Sequence, residues 1–335
     1  HVLPGTRSFS IATAGCNLNC KFCQNWEISQ ARPDDTYNYD LPPEQVVKNA
    51  AHYQCRSIAS TYVEPTIFIE YMLDIGQLAK RQGILNVMHS NGYVNGPPLK
   101  DLCQYLDAAC IDLKGFTDSY YQDLTEGSLE PVLETLKRLK AWRVHTEIVT
   151  LIVPGKNDDM QQIRSMARWI KSELGPDTPL HFSRFYPLYK LKSLSPTPVA
   201  TLEEARKNAL GEGLHYVYIG NVPGNEAEHT TCPQCKTRLV MPPAVSIPMA
   251  LILFGLFYLV LVVLLNSPQW LNPLFSGTLT GYILYDLTHY ATHHFPMRSG
   301  YLRYIKRYHL KHHYKTWDQR FGVTSPVWDK VFGTM

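Results

Sequence analysis

The chain has 335 residues, of which 45% are hydrophobic and 18% are charged, and its formal net charge is +3. This composition excludes global disorder, and so small a net charge gives no indication of nucleic-acid binding. No Asp, Glu, Lys or Arg occurs between Arg238 and Asp286, a gap that a purely soluble protein of ordinary composition does not show. We therefore expect two domains, residues 1–237 and residues 238–335. Because the chain begins at His1 rather than Met and without a targeting segment, we expect a fragment of a longer protein. The first domain is expected to be truncated at both ends.

The first domain alternates short β-rich runs with amphipathic stretches. The predicted strands are Phe9–Thr13, Ser57–Tyr62, Leu85–His89, Ala109–Leu113, Val144–Ile152, Leu180–Phe185 and Tyr216–Gly220. The predicted helices are Pro43–Tyr53, Thr66–Gln82, Pro98–Tyr105, Leu129–Lys140, Met160–Leu174 and Leu202–Leu210. Regular alternation predicts an α/β fold with a parallel sheet, and seven strands favour a partial or full (β/α) barrel. Such barrels carry their chemistry at the C-terminal ends of the strands.

Three cysteines follow the first predicted strand on one short loop, at Cys16, Cys20 and Cys23. Thiolates at this spacing can bind three corners of a 4Fe–4S cluster and leave the fourth iron open to a substrate or cofactor. The alternatives are chance and a structural zinc site, which normally needs four ligands in paired spacing.

The Cys16-x3-Cys20-x-Phe22-Cys23 motif resembles that of the radical S-adenosylmethionine (SAM) enzymes. The wider sequence is similar to the branch around pyruvate formate-lyase activating enzyme, and most of all to AmmeMemoRadiSam-type proteins. Residues 1–5, 16–26, 62–68, 90–93, 112–115 and 153–158 carry this resemblance. It implies that SAM chelates the open iron and that one-electron cleavage releases a 5′-deoxyadenosyl radical, which abstracts a hydrogen atom. We expect an unknown protein or small-molecule substrate, with a glycyl radical installed on a protein as one outcome, and an electron donor such as flavodoxin or ferredoxin.

The resemblance also suggests which residues contact the cofactor. Glu64 is expected to accept a charge-assisted hydrogen bond from the methionyl ammonium of SAM, and Phe22 to pack on the adenine. Asn91 and Asp112 offer polar groups to the ribose or the substrate. Two alternatives stay open, since Glu64 could only cap the following helix and Asp112 could only pair with Lys114.

Other metal-ligand residue types in the first domain give weaker signals. Cys232 and Cys235 form a single C-x-x-C pair. No second pair follows, so we expect this pair to be free of metal or loosely occupied. His89 and His145 are interpreted as structural residues.

The second domain begins with apolar sequence. Residues 247–265 and 274–290 form two apolar segments around a short loop, and the first is long enough to span about 30 Å of hydrocarbon. We expect an α-helical membrane hairpin, and the basic tail after it puts both ends on the cytoplasmic side. This predicts a membrane-associated protein that contacts the lipid bilayer through its C-terminal part, with the N-terminal domain in the cytoplasm. The alternative is a buried core hairpin of a soluble protein.

Histidines concentrate after the hairpin at helical spacing. The candidate ligands are Asp286, His289 and His293 in a first box and His309, His312 and His313 in a second. Neutral imidazoles converging from two helices suit iron or zinc. The alternative is a basic surface beside the membrane that binds anionic headgroups.

These boxes resemble the membrane-bound fatty acid hydroxylase superfamily, especially the sphingolipid fatty acid 2-hydroxylases. Residues 238–243, 281–294, 308–314 and 321–323 carry the resemblance. That fold brings four histidine boxes to a di-metal site, and this chain has only the last two. We therefore interpret the chain as a chimera of two partial proteins, from sequence assembly, gene fusion or engineering. A radical SAM enzyme is the leading function, a lipid hydroxylase is the rival, and a non-catalytic membrane-anchored scaffold is the third hypothesis.

Overall fold

The computed structural model describes residues 2–232, the backbone of residues 238–240, and residues Tyr258 and Ser276. The chain divides into two units, His1–Ala244 and Val245–Met335. The central sheet and the helices packed on it belong to the first unit.

Seven parallel strands form the central sheet. They are β1 (Ser8–Ile11), β2 (Ser57–Ser60), β3 (Leu85–Ser90), β4 (Ala108–Asp112), β5 (His145–Ile152), β6 (Leu180–Arg184) and β7 (Val217–Gly220). Each strand pairs with the next along the chain, so the sheet winds in one direction only, as in a (β/α) barrel. Within the described residues β1 pairs only with β2 and β7 only with β6. The predicted α/β fold with a partial barrel is confirmed.

Eight α-helices among the described residues cover the sheet. They are α1 (Trp26–Ser29), α2 (Pro43–His52), α3 (Ile69–Arg81), α4 (Gly96–Leu102), α5 (Asp118–Thr125), α6 (Glu130–Ala141), α7 (Met160–Glu173) and α8 (Val199–Gly211). The helices pack through apolar stripes, as in α3, where Met72, Ile75 and Ala79 are buried at spacings of three and four.

Helix α5 was not predicted. Its paired tyrosines, Tyr120 and Tyr121, have a preference for strands that works against helix. The structure stabilises the helix by an N-cap, because the Thr117 side chain accepts a hydrogen bond from Tyr120 N at 3.2 Å. Both tyrosines are also buried, at 5% and 0% exposure. Tertiary packing therefore overrides local propensity here.

Side chains alternate across the strands, and this alternation gives the sheet one face that packs in the core and one face that lines a cavity. In β5, Ile148 and Ile152 are fully buried in the core, whereas Val149 and Leu151 line a cavity at the C-terminal edge of the sheet. Successive residues of a strand point to opposite faces. The cavity therefore lies at the strand ends, where the predicted site residues cluster.

A two-stranded antiparallel ribbon follows the sheet. It pairs β8 (Thr230–Thr231) with β9 (Arg238–Val240) and so joins residues from both sides of the predicted boundary at 237 and 238. Among the described residues no helix is both long and apolar enough to cross a membrane. The two predicted spans, apart from Tyr258 and Ser276, lie outside the described residues, and the membrane hairpin stays a prediction.

Candidate active site

The loop after β1 carries the three cysteines and is tied down by backbone hydrogen bonds. Asn19 N donates to Thr125 O and Lys21 N donates to Leu124 O, both at 2.9 Å. These two bonds flank Cys20 and join the loop to the C-terminal end of α5. Cys20 is 7% exposed, while Cys16 and Cys23 are half-buried. Helix α5, which the sequence did not predict, therefore supports the cysteine loop.

Two of the three thiols, those of Cys16 and Cys20, lie in a poorly solvated environment. Burial raises the pKa of Cys16, and it raises the pKa of Cys20 to about 12, although the Lys114 ammonium acts in the opposite direction on both. These two thiols are therefore protonated at neutral pH when no cation binds them. Only the thiolate is a metal ligand, so ligation would release their protons to solvent.

Glu64 lies just past β2 and is 2% exposed. Its Oε1 accepts hydrogen bonds from Thr66 N at 3.0 Å, Thr66 Oγ1 at 2.8 Å and Ser90 Oγ at 2.7 Å. Its Oε2 accepts one from Asn91 N at 2.8 Å. Burial raises the pKa of this carboxyl, and the four hydrogen bonds oppose the rise. Glu64 caps the turn after it and also links the ends of β2 and β3, while Oε2 retains capacity for a further donor.

The Asn91 side chain is directed at the cysteine loop. Its Nδ2 lies 2.7 Å from Asn17 Oδ1 and 3.7 Å from Cys16 Sγ, and its Oδ1 accepts from Tyr93 N at 2.8 Å. These contacts hold Cys16 in position. The predicted contact of Asn91 with a ribose or substrate stays a prediction.

Asp112 is the last residue of β4 and lies between two cationic partners. Its Oδ2 is 2.8 Å from Lys114 Nζ, and its Oδ1 is 2.8 Å from His89 Nε2. Burial alone would raise the pKa of Asp112, but Lys114 and His89 hold it well below its usual range. The sequence left open whether Asp112 pairs with Lys114, and the structure shows that it does. His89 touches the same carboxylate, so its place is in the site rather than in the surrounding core.

Phe22 is 4% exposed and packs in the core between the cysteine loop and α5. Its ring centroid is 6.2 Å from that of Tyr120, and Lys114 Nζ lies 5.9 Å from its ring centroid. One edge of Phe22 lines the cavity. Packing on an adenine stays a prediction, and the observed contacts are structural.

A cavity of about 350 Å³ collects the predicted residues of the first domain. Its lining includes all seven of them, namely Cys16, Cys20, Phe22, Cys23, Glu64, Asn91 and Asp112. The lining also includes residues that the sequence did not select, among them Lys114, Ser183, Asn221 and His89. Strand alternation gave a signal for Lys114, since it stands two residues after Asp112. Ser183 and Asn221 carry no local signal, because their position depends on how β6 and β7 close against the other strands.

The donor set suits an iron–sulfur cluster. Among the described residues no group of three or more His, Cys, Asp or Glu side chains is arranged to hold one metal ion. A cluster has no such requirement, because each thiolate binds a different iron. Three cysteines on one anchored loop at a cavity match that need. The histidine boxes and Cys235 lie outside the described residues, so iron or zinc binding there stays a prediction, and Cys232 is a half-buried free cysteine.

Two family models match the chain. The radical SAM superfamily matches residues 10–170, and the fatty acid hydroxylase family matches residues 236–334. The two matches do not overlap, which agrees with the interpretation of the chain as a two-part chimera.

Individual relatives follow the same division. An uncharacterized protein of Methanocaldococcus jannaschii is 47% identical over 240 residues, which are 72% of this chain and 71% of that protein. The ceramide very long chain fatty acid hydroxylase scs7 of Schizosaccharomyces pombe is 44% identical over 107 residues, which are 32% of this chain and 29% of that protein. The chain thus spans less than a third of this hydroxylase.

A solved structure shares the fold of the first domain. The crystal structure of Streptococcus suis SuiB bound to S-adenosylmethionine aligns with a TM-score of 0.52 at 11% sequence identity. The alignment covers 64% of this chain and 50% of that one. At this identity the match concerns the fold alone.

Proposed function

Because this chain belongs to the radical SAM superfamily over residues 10–170, we propose that its first domain is an enzyme that cleaves SAM reductively. The observation that carries the proposal is one cavity lined by Cys16, Cys20 and Cys23 together with Glu64 and Lys114. A bound 4Fe–4S cluster would supply one-electron reduction of the sulfonium, which yields a 5′-deoxyadenosyl radical for hydrogen abstraction. The three cysteines would hold this cluster, and its open iron would face the cavity.

Two charged residues of the cavity complement the methionyl group of SAM. Glu64 Oε2 accepts only the Asn91 N hydrogen bond among the described contacts and can take one from an ammonium. Lys114 carries three donors, and Asp112 accepts one of them. Burial would lower the pKa of Lys114, but Asp112 raises it well above the usual value, so the ammonium stays charged. Glu64 would therefore bind the amino group and Lys114 the carboxylate.

The opposite wall of the cavity suits an uncharged substrate group. Within the described lining, β5 contributes Val149 and Leu151, β6 contributes Ser183, and the residue after β7 is Asn221. None of these carries a charge, so a charged substrate group would find no ion-pair partner among these four residues. A neutral carbon flanked by hydrogen-bonding groups is favoured, and the backbone of a glycine is one such group.

Activation of a glycyl-radical protein is the finer function we propose, and it rests on the sequence resemblance. Hydrogen abstraction from a small molecule is the alternative. The two can be separated by incubating the reconstituted full chain with the macromolecular and low-mass fractions of a cell extract. Stimulation of 5′-deoxyadenosine formation by the macromolecular fraction alone supports a protein substrate, and stimulation by the low-mass fraction alone contradicts it.

Anaerobic reconstitution tests the main proposal. The full chain, given iron, sulfide and a reductant such as reduced flavodoxin, should bind about four irons at the cysteine loop and convert SAM to 5′-deoxyadenosine. Ala at any one of the three cysteines should abolish both results, since the described lining of the cavity offers no fourth thiol to replace the one removed. Cys103→Ala is the matched control, because Cys103 is also half-buried but lies outside the cavity lining. The proposal would be refuted if a variant with one of these three cysteines replaced by Ala still assembled the cluster and cleaved SAM.

The hydroxylase match over residues 236–334 raises lipid hydroxylation as the rival function of the second domain. The boxes His289 to His293 and His309 to His313 offer about five imidazoles, enough to bind one ion. A di-metal site needs ligands from both halves of the family's motif, and the earlier boxes are missing. We therefore propose that this domain anchors the chain at a membrane and does not hydroxylate lipid by itself.

A further inference from the structure

Tyr62 lies at the cavity in a backbone conformation that tyrosine rarely adopts. Its φ is +70°, and Val63 N donates a hydrogen bond across it to Thr61 O at 2.9 Å. This pattern is a classic γ-turn, which is rare and strained, and a positive φ in a bulky residue is an outlier. Strain of this kind persists only where the surrounding structure imposes it, and it concentrates at functional sites.

The Tyr62 side chain does not explain this conformation through contacts within the protein. The residue is 56% exposed, and among the described residues its side chain makes no hydrogen bond or ring contact. Its backbone is anchored, because Asn25 Nδ2, two residues after Cys23, donates to Tyr62 O at 2.7 Å. Thr61, Tyr62 and Glu64 all line the cavity. The γ-turn therefore holds an exposed tyrosine at the entrance of the cavity.

Other exposed apolar side chains lie around the same entrance. Ile67 is exposed in the turn after β2, and a Cβ atom on Gly15, in the cysteine loop, would lie 3.0 Å from Ile67 Cδ1. Tyr186 and Leu188 are exposed in the loop after β6, and the Tyr186 hydroxyl donates at 3.2 Å to the backbone oxygen of Asn221, which lines the cavity. The apolar rim consists of Tyr62, Ile67, Tyr186 and Leu188. Exposed apolar side chains gathered around one opening, rather than scattered singly, mark an interaction site.

The size of the cavity places most of a substrate outside it. The volume of about 350 Å³ is near the lower end of the range for sites that bury a single drug-sized ligand. The cavity therefore has room for SAM but not for the body of a second ligand. A substrate can extend one neutral group past the entrance, towards the uncharged wall, while the rest of it contacts the rim. An extended polypeptide segment has this form, since its backbone is neutral and its apolar side chains can pack on the rim.

We propose that Tyr62 is a substrate-contacting residue that, together with the apolar rim, binds an extended apolar segment of a polypeptide substrate. A tyrosine provides a large contact area with few rotatable bonds to order, which makes it an efficient anchor at protein interfaces. The strained turn keeps this ring at the entrance before the substrate arrives. This inference rests on the proposed function and deepens it, because it assigns the substrate class from the surface around the cavity.

Tyr62→Gly tests whether the backbone is strained. Glycine adopts a positive φ without steric cost, so this substitution should raise the thermal midpoint of the full chain, before reconstitution, by roughly 2–4 °C. Gln54→Gly is the matched control, because Gln54 is also exposed with a φ of +55° but lies between α2 and β2, at the opposite edge of the sheet. It should raise the midpoint similarly. A Tyr62→Gly chain no more stable than the wild type would show that the fold itself favours tyrosine there, and would overturn the inference.

Tyr62→Ala tests the substrate contact, with the macromolecular fraction of a cell extract as the probe. The amount of this fraction that gives half-maximal stimulation of 5′-deoxyadenosine formation should rise at least about ten-fold, as expected for loss of one aromatic anchor. Gln54→Gly should respond to the fraction as the wild-type chain does. Digestion of the fraction with a protease beforehand should abolish the stimulation, because the active component is a polypeptide.

The outcomes separate this inference from the proposed function. Failure of the reconstituted wild-type chain to cleave SAM overturns both. Cleavage that responds only to the low-mass fraction, to a protease-resistant component or to neither fraction overturns the polypeptide substrate alone. A wild-type response in Tyr62→Ala overturns the role of Tyr62. If Tyr62→Ala does not fold, the response of Tyr62→Gly, which also lacks the ring, decides the question.

Discussion

Glu64 caps the turn after β2, and we propose that it also binds the amino group of SAM. Substitutions can separate these two roles. Glu64→Gln keeps the shape but loses the charge, and its amide must face a donor, because all four observed partners donate to the carboxylate. We expect SAM affinity to fall about ten- to a hundred-fold, the equivalent of roughly 1.5–3 kcal/mol. The unfolding free energy should fall as well, while the cluster persists.

Thr66→Val is the comparison for this variant. It removes the Thr66 Oγ1 hydrogen bond to Oε1 but leaves Oε2 unchanged, so it should lower stability with little effect on SAM affinity. Equilibrium binding of SAM to the reconstituted chain and chemical denaturation supply the two measurements. A Glu64→Gln chain with wild-type SAM affinity would leave Glu64 as a helix cap only.

His89 gives the site a pH-dependent contribution to stability. Asp112 raises the pKa of His89 above its unfolded value of about 6.5, although burial acts against the rise. Protonated His89 therefore stabilises the folded chain fully below about pH 6.5, and this contribution disappears as the pH rises through the folded pKa. The stability lost in His89→Asn should be larger at low pH than at high pH. Chemical denaturation of the cluster-free chain across this range measures it, and a pH-independent loss would exclude the ion pair.

Single elements position these residues through a few tight contacts. Gly92 follows Asn91 at the end of β3 and has φ of +72°, a conformation that costs a non-glycine residue about 1–2 kcal/mol. A Cβ atom there would lie 2.9 Å from Ile111 Cγ2 and 3.2 Å from Val132 Cγ1. Only glycine allows α6 to pack against β4 at this turn, and the packing fixes the direction of Asn91.

Gly92→Ala should therefore lower the unfolding free energy by about 2–5 kcal/mol, the sum of backbone strain and overpacking. Gly83→Ala is the control, because Gly83 also has a positive φ but a Cβ atom there would meet nothing within 4 Å. It should cost only the backbone part. Equal losses in the two variants, measured by denaturant titration, would show that packing around Gly92 is loose.

The whole chain combines a barrel domain with a hydroxylase-like segment, and the prediction at this scale concerns the second domain. The full chain purified in detergent should carry about one metal ion beyond the cluster, and His312→Ala with His313→Ala should remove it. It should form no 2-hydroxy fatty acid, because the first histidine boxes are missing. A 2-hydroxylated acyl product that depends on these histidines would mean that the missing ligands come from another subunit or from the first domain.

The sequence by itself determined the alternation of strands and helices and the three cysteines, because both depend on short-range patterns. Hydrophobic periodicity reports which face of a segment is buried, and a loop motif holds its ligands within a few residues. Glu64 and Asp112 could also be predicted as site residues, because both follow or end predicted strands and the ends of parallel strands meet at one edge of the sheet.

Only the tertiary structure decided what these residues touch. His89 was interpreted as structural from its sequence context, yet the pairing of β3 with β4 brings it to Asp112. Helix α5 has weak local propensity and is stabilised by burial of Tyr120 and Tyr121, which no short window of sequence reveals.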